Sequence, residues 1–350
     1  MTARLEALRH WAAAHHPDHP LPELEVVADD ASFRRYFRLR FDNGDSRILM
    51  DAPPEQENSR SFVEIAQRWR DNGVRVPELH HSDLDAGFIE LQDLGNDMLR
   101  ERLMQGSSSD REPLMAQALA LSVEIAGQCS DRLPVMDRDW LGSELDLFPQ
   151  WCLGRWLGMA GPASWQQVRE HLIEALTAQP QVCVHRDLHA QNLMLHDGEL
   201  WVIDFQGAMR GPLGYDLASL LRDRNHPWSE DEQQRWIEQW RLLAIERGTI
   251  DRLEPGEPLE SEALRRMVDL AGAQRSLKVL GLFCRLALRD DKPRYLAMLP
   301  LFAEHVRQGL SGHPAFVDFM QWFDSELMPA LNARLLAWHE SLARQEPMTP

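Results

Sequence analysis

At 350 residues, with 44% hydrophobic and 26% charged residues, the chain has the composition of an ordinary globular protein, long enough for two lobes sharing a cleft. A formal charge of −18 excludes broad binding to nucleic acid or an anionic membrane, which needs clustered Lys and Arg. Any phosphate-bearing ligand must then be met locally, by positioned arginines, a metal ion or helix N-termini.

The four cysteines are scattered and form no CxxC pair, which points to buried reduced thiols rather than a zinc site or disulfide framework. The N-terminal stretch carries charges throughout, lacks an apolar h-region, and no apolar run approaches about twenty residues. The sequence therefore reads as that of a cytoplasmic protein, and no feature specifies an oligomeric state.

Leu5, Leu8 and Trp11/Ala12 recur at helical spacing until Pro17 and Pro20, which predicts a short opening helix. LEVVA (24–28), FRRYFRLRF (33–41), SRILM (46–50) and GFIELQ (87–92) are rich in β-branched and aromatic residues and predict strands, with Asn43-Gly44 as a hairpin turn. A helix over 59–73 falls between the third and fourth. Together these form a small α+β lobe ending near residue 95. Beyond it, segments 112–129, 164–178, 229–247, 260–289 and 313–345 have helical periodicity, while VCV (182–184), LML (193–195) and LWVI (200–203) read as short strands.

The chemistry is concentrated in VCVHRDLHAQNLMLHDGELWVIDFQG (182–207). A short apolar run delivers His185-Arg186-Asp187, then four residues, Asn192, a hairpin turning at HDG (196–198), and Ile203-Asp204-Phe205. Phosphoryl transfer needs a carboxylate beside the attacking hydroxyl and oxygen ligands for Mg²⁺ at the nucleotide phosphates, because its barrier falls by positioning and charge neutralisation. Asp187 suits the first need. Asn192 and Asp204 suit the second, since the hairpin doubles the chain back and Mg²⁺ prefers hard oxygen donors. His185 is expected to hold the loop rather than act as a base. Asp216, at the start of a helix in GPLGYDLASLL (211–221), can cap exposed backbone N–H groups and brace the loop.

These motifs resemble the aminoglycoside phosphotransferase family, a branch of the protein-kinase-like small-molecule kinases. HRDLHAQN is similar to its H-x-D-x4-N loop, VIDF to its metal-binding segment and GYDLASLL to its downstream brace. The resemblance implies an α+β, protein-kinase-like bilobal fold. Its small sheet-containing N-lobe (1–95) would bind ATP, and its larger, mainly helical C-lobe (96–350) would carry the catalytic loop and acceptor site. It further implies Asp187 as base, Asn192 and Asp204 as Mg²⁺ ligands, and Asp216 as support of the loop. DDASFRRYFRL (29–39), ILMDAPPE (48–55), FIELQDLG (88–95) and SELDLFPQWCLGRWLG (143–158) resemble the bacterial anomeric amino-sugar kinases of cell-wall recycling. That narrower likeness implies phosphorylation of N-acetylmuramate and N-acetylglucosamine at C1.

By the same resemblance, Ser32, Phe33, Arg34 and Arg35 lie over the nucleotide phosphates, and Glu90, Gln92 and Leu94 belong to the adenine-reading segment that joins the lobes. The phosphate turn contains no glycine, and no lysine stands at Met50-Asp51 where kinases place one. Either an arginine replaces it, or phosphate binding rests on Mg²⁺ and backbone, and Glu64 only loosely matches that lysine's usual partner. For the acceptor, Glu144, Asp146, Trp151, Arg155 and Trp156 near Pro149 offer polar groups and aromatic faces suited to a sugar. Arg275 and Lys278 stand amid an apolar helix, where a cation is paired, snorkelling or ligand-facing. Two other readings stay open: a kinase of the same fold acting on an aminoglycoside, a choline-like amine or an amino acid, and a nucleotide-binding regulator without transfer. A purely helical scaffold leaves HRDLHAQN and VIDF unexplained.

Overall fold

The computed structural model describes residues 3–18, 23–29, 33–226, 228–249 and 259–343. In chain order the elements are α1 (Ala3–His15), β1 (Leu24–Asp29), β2 (Arg35–Arg40), β3 (Ser46–Asp51), α2 (Ser59–Asp71), β4 (Leu79–Asp83), β5 (Phe88–Gln92), α3 (Leu99–Gln105) and α4 (Ser108–Ala126). There follow α5 (Arg138–Leu145), a π-helical segment (Phe148–Leu157), α6 (Trp165–Thr177), β6 (Gln181–Val184), β7 (Leu193–His196), β8 (Glu199–Val202), β9 (Met209–Pro212), α7 (Gly214–Leu221) and α8 (Glu230–Glu246). The chain closes with α9 (Ser261–Arg289), α10 (Leu299–Leu310), α11 (Val317–Trp322) and α12 (Met328–Ala343).

By packing, the chain divides into two compact units, Met1–Gln128 with His189–Ala208, and Cys129–Leu188 with Met209–Pro350. This division differs from the functional boundary expected at residue 95: α3, α4 and the β7–β8 hairpin pack in the unit of the N-terminal sheet.

In the first unit, five antiparallel strands take the order β1-β2-β3-β5-β4. Alternation decides the faces. Phe37 and Leu39 of β2, Leu49 of β3 and Phe88 of β5 share one face and bury Leu8 and Ala12 of α1. α2, capped by Asn58, buries Phe62 and Trp69 against Phe205, the residue after Asp204. Asn43-Gly44 makes the expected turn, with Gly44 at φ 92°. β4 escapes the strand pattern because LHHSD is mostly polar.

The second unit is organised around α9, whose 29 residues bury Leu264, Val268, Leu277, Leu280 and Phe283. The π-helical segment crosses it closely enough that a Cβ on Gly281 would lie 2.3 Å from the Leu147 carbonyl. Gly281→Ala is therefore expected to destabilise the protein by roughly 2–3 kcal/mol, read as a lower urea midpoint, because backbone on both sides must shift. The expected 313–345 helix is instead interrupted by a π-turn at Phe323–Leu327, just before Pro329, which has no N–H to continue the ladder. The short α3, α5 and β9 and the 12-residue α10 lie outside the segments that the sequence pattern marked. Cys152, Cys183 and Cys284 are buried thiols outside any disulfide, whereas Cys129 is exposed, correcting the expectation of four buried ones.

His305 on α10 is buried, and burial, with the charges of Arg222 and Arg275, pushes its imidazole down from 6.5 to about 3. It is neutral in the native state, while the unfolded chain takes up a proton near 6.5. Its contribution is thus unopposed above that pH, and stability is lost as pH falls towards the native value, by about 1.4 kcal/mol per unit. His305→Gln should flatten the fall in unfolding free energy between pH 6 and 4.5, measured by urea denaturation; an unchanged slope would contradict this.

Candidate active site

In the second unit, β6 pairs with β9 and ends in a buried Val184 that delivers the loop His185-Arg186-Asp187. Asp216, in the first turn of α7, turns its carboxylate back on that loop and accepts hydrogen bonds from the N–H of His185 (2.6 Å) and of Arg186 (3.0 Å). Arg186 adopts φ 79°, a left-handed conformation unfavourable for a side-chain residue, and these two bonds hold it there. Burial pushes the Asp216 carboxyl up from its ordinary value, opposed by His185 and by the two N–H donors. His185 is buried and its Nδ1 accepts from the Asp187 N–H (3.3 Å), the geometry of a loop holder.

The Asp187 carboxylate is about half exposed and lies 3.5 Å from the Arg275 guanidinium of α9. One turn further along the same helix, Lys278 Nζ is 2.9 Å from Glu144 Oε1 of α5. The Trp140 ring lies beneath both Arg186, at 5.1 Å, and Lys278, at 5.9 Å. Burial alone would lower the Lys278 ammonium, but Tyr215, Glu144 and Asp187 outweigh it and raise it, so it stays charged. Tyr215 is fully buried and pushed up to about 12 chiefly by that burial, so it stays protonated.

The structure thus gathers Asp187, Glu144, Arg275 and Lys278. Asp146, Trp151 and Arg155 make other contacts: Asp146 pairs with Arg169 at 2.8 Å, and Arg155 stacks on the Trp151 ring at 5.0 Å. Trp156 is buried beneath Arg334.

In the first unit, β7 and β8 pair as Leu193↔Val202, with Asp197 and Gly198 at positive φ in the turn. The hairpin brings Asn192 and Ile203 together, the Ile203 N–H donating to the Asn192 carbonyl at 3.0 Å. Asp204 follows in a left-handed conformation (φ 62°), and its Oδ1 accepts from Gln206 Nε2 at 2.5 Å. A carboxylate and a carboxamide oxygen at the open end of one hairpin are hard donors, a set that fits Mg²⁺ completed by water and phosphate oxygens. Among the described residues no group of three or more His, Cys, Asp or Glu side chains forms a metal cage.

Of the expected nucleotide residues, Ser32 lies outside the described residues, as does Ala31. Phe33 is exposed, and its N–H donates to Glu57 Oε1 at 3.2 Å. Arg34 is buried and pairs with Glu57 at 2.9 Å, and Arg35 reaches Asp51 at 2.5 Å. Asp51 is fully buried and also accepts from Arg4 at 2.5 Å, so a carboxylate balanced by two arginines stands beside the position where a lysine was sought. Glu64 is exposed on α2. Glu90 is buried beside His16, at 2.9 Å, and Arg47. Gln92 exchanges backbone and side-chain bonds with Glu78, and Leu94 is buried.

Sequence reasoning missed Arg38, which anchors the segment after β5. Its guanidinium donates to both Asp93 oxygens, at 2.5 and 3.0 Å, and to Gly95 O and Asn96 Oδ1, while Ser46 Oγ also donates to Asp93. Burial pushes the Asp93 carboxyl up, but these bonds and the N–H of Gly95 hold it below the usual range. Trp140 and Tyr215 were also missed; an aromatic in a helix carries no local sign that its neighbours are charged.

Residues 23–255 match the model of a family described as APH, phosphotransferase enzyme family. A Pseudomonas putida N-acetylmuramate/N-acetylglucosamine kinase is 37% identical over 307 residues, covering 85% of this chain and 87% of that protein. Among solved structures, a choline/ethanolamine kinase family protein from Mesorhizobium loti superposes with a TM-score of 0.59 at 17% identity, over 93% of this chain and 99% of that one. The ADP-bound aminoglycoside phosphotransferase APH(2'')-Ib gives 0.56 at 11% identity, over 86% and 97%. The two structural likenesses support the α+β kinase-like fold. With a family model matched over most of its length and a relative 37% identical over 85% of it, the chain belongs to the phosphotransferase enzyme family.

Proposed function

We propose that this protein is an ATP-dependent cytoplasmic kinase that phosphorylates the anomeric C1 hydroxyl of N-acetylmuramate and N-acetylglucosamine in cell-wall recycling. The observation that carries this reading is the 37% identity to an N-acetylmuramate/N-acetylglucosamine kinase over 85% of the chain. The loop geometry supplies the chemistry: Asp187, held by the Asp216-braced loop, presents an exposed carboxylate beside Arg275.

In this reading Asp187 accepts the proton of the C1 hydroxyl as that oxygen bonds to the γ-phosphorus of ATP, and the bond to the bridging oxygen breaks to release ADP. Asn192 and Asp204 would hold Mg²⁺, which neutralises charge on the phosphates when bound. Residues 1–95 serve nucleotide binding, with Arg34 and Arg35 on the expected phosphate turn held by Glu57 and Asp51, and Arg38 fixes the segment from Asp93 to Asn96 that follows β5. Residues 96–350 carry the catalytic loop and acceptor site. No helix among the described residues is long and apolar enough to cross a membrane.

An acceptor panel tests the reading. ADP release should require Mg²⁺ and respond to N-acetylmuramate and N-acetylglucosamine, but not to choline, an aminoglycoside or an amino acid. Turnover confined to one of the amine acceptors would replace the amino-sugar assignment.

A further inference from the structure

Lysine is almost absent from this protein: Lys278 and Lys292 are the two among 37 Lys and Arg residues. One of these two is placed, nearly buried, on the helix that also carries Arg275 beside the Asp187 carboxylate. An ammonium is a compact point charge with three N–H donors, of which Glu144 takes one. Burying it is costly, and that cost is offset only by ion pairing and by satisfying its N–H donors.

Two buried polar atoms at the same place have no hydrogen-bond partner among the described residues, Glu144 Oε2 and the Tyr215 hydroxyl. Tyr215 is fully buried, and the charges acting on it are those of Lys278, Glu144, Arg275 and Asp187. An unsatisfied buried hydroxyl and carboxylate oxygen together cost several kcal/mol on the usual scale of about 1–3 each, so a ligand that completes them is favoured.

The local charge is balanced, unlike that of the protein as a whole. Arg186, Arg224, Arg275 and Lys278 stand against Asp187, Glu144, Asp216 and Asp223, four cations and four carboxylates. Within this balanced cluster the Lys278 ammonium keeps N–H donors beyond the one given to Glu144, and a substrate carboxylate is the acceptor that suits them best.

We propose that the Lys278–Glu144 pair is the specificity element of the acceptor site: Lys278 binds a carboxylate substituent of the sugar, while Glu144 Oε2 and the Tyr215 hydroxyl complete hydrogen bonds to its polar ring groups. The inference rests on the amino-sugar kinase reading and deepens it. It makes the acidic sugar N-acetylmuramate the acceptor that gains most from Lys278, relative to neutral N-acetylglucosamine.

The test is the ratio of kcat/KM for N-acetylmuramate to that for N-acetylglucosamine. Lys278→Met is expected to lower this ratio by about tenfold or more, the scale of losing one charge-assisted hydrogen bond, and Lys278→Arg to restore part of it. Because Lys278→Met leaves Glu144 buried without its cation, the double variant Glu144→Gln/Lys278→Met is measured alongside; it removes both charges and should show the same selective loss. A ratio staying within about threefold of the parent's in both the single and double variants, even if the two efficiencies drop together, overturns the inference. A parent enzyme that phosphorylates neither sugar overturns the amino-sugar reading as well, so the two failures are distinct.

Discussion

Asp187→Ala is expected to lower kcat by about 10³-fold, within the usual range for loss of a positioned general base. The fold should survive, because the side chain is about half exposed and its contact with Arg275, at 3.5 Å, is long for an ion pair. KM for the sugar should change much less than kcat, since the lost interaction is one made as the proton moves. Asp187→Asn separates charge from shape: it preserves volume and one acceptor oxygen but cannot take the proton, and should fall nearly as far. Steady-state ADP release with either variant measures this, and a decrease smaller than about tenfold would remove Asp187 from the role of base.

Asp216→Ala should have the next largest effect, and by a different route. Asp216 touches neither acceptor nor nucleotide in the proposed scheme; it is a positioning residue that ties down the His185 and Arg186 N–H groups and with them the left-handed Arg186. Removing it leaves two buried donors unsatisfied at about 1–3 kcal/mol each. Part of that is offset, because burial raises the Asp216 carboxyl and so the ionised group is itself held at a cost. The net loss of stability should be roughly 2 kcal/mol, with kcat reduced about 10²-fold by loss of loop geometry. Asp216→Asn keeps one acceptor and sheds the buried charge, so it should be nearly as stable as the parent yet still impaired in kcat. Urea denaturation alongside kcat checks the pair; full activity in Asp216→Ala would show that the loop holds itself.

How much of this was legible in the sequence follows from the range over which each interaction acts. The HRDLHAQN loop, its hairpin and the Asp216 brace lie within a few tens of residues of one another, and the chemistry that needs them fixes their spacing. The four strands marked in the N-terminal region formed where β-branched and aromatic residues cluster, β3 and β5 burying residues on both faces while Val26 of the edge strand β1 stays exposed. The interactions that shape the rest are between residues distant in the chain: Arg38 with Asp93 and Arg4 with Asp51 are separated by 55 and 47 residues. Lys278 with Glu144 is more distant still, and neither residue type predicts the other. Arg275 and Lys278 stood out because cations amid apolar neighbours require a partner. Asp146 and Arg155 carried no comparable signal, and the structure gives them Arg169 and the Trp151 ring. Chain spacing also hid the pairing at Asp51: the lysine sought there is replaced by a buried carboxylate whose charge is balanced by arginines from α1 and β2.

The most direct measurement is the structure of the product. Purified protein incubated with ATP, Mg²⁺ and N-acetylmuramate or N-acetylglucosamine should yield a sugar whose anomeric proton couples to phosphorus in the NMR spectrum, and Asp187→Ala run in parallel should yield almost none. Phosphate attached at a hydroxyl other than C1, or no phosphosugar from a folded protein that turns over ATP with another acceptor, would contradict the proposed function.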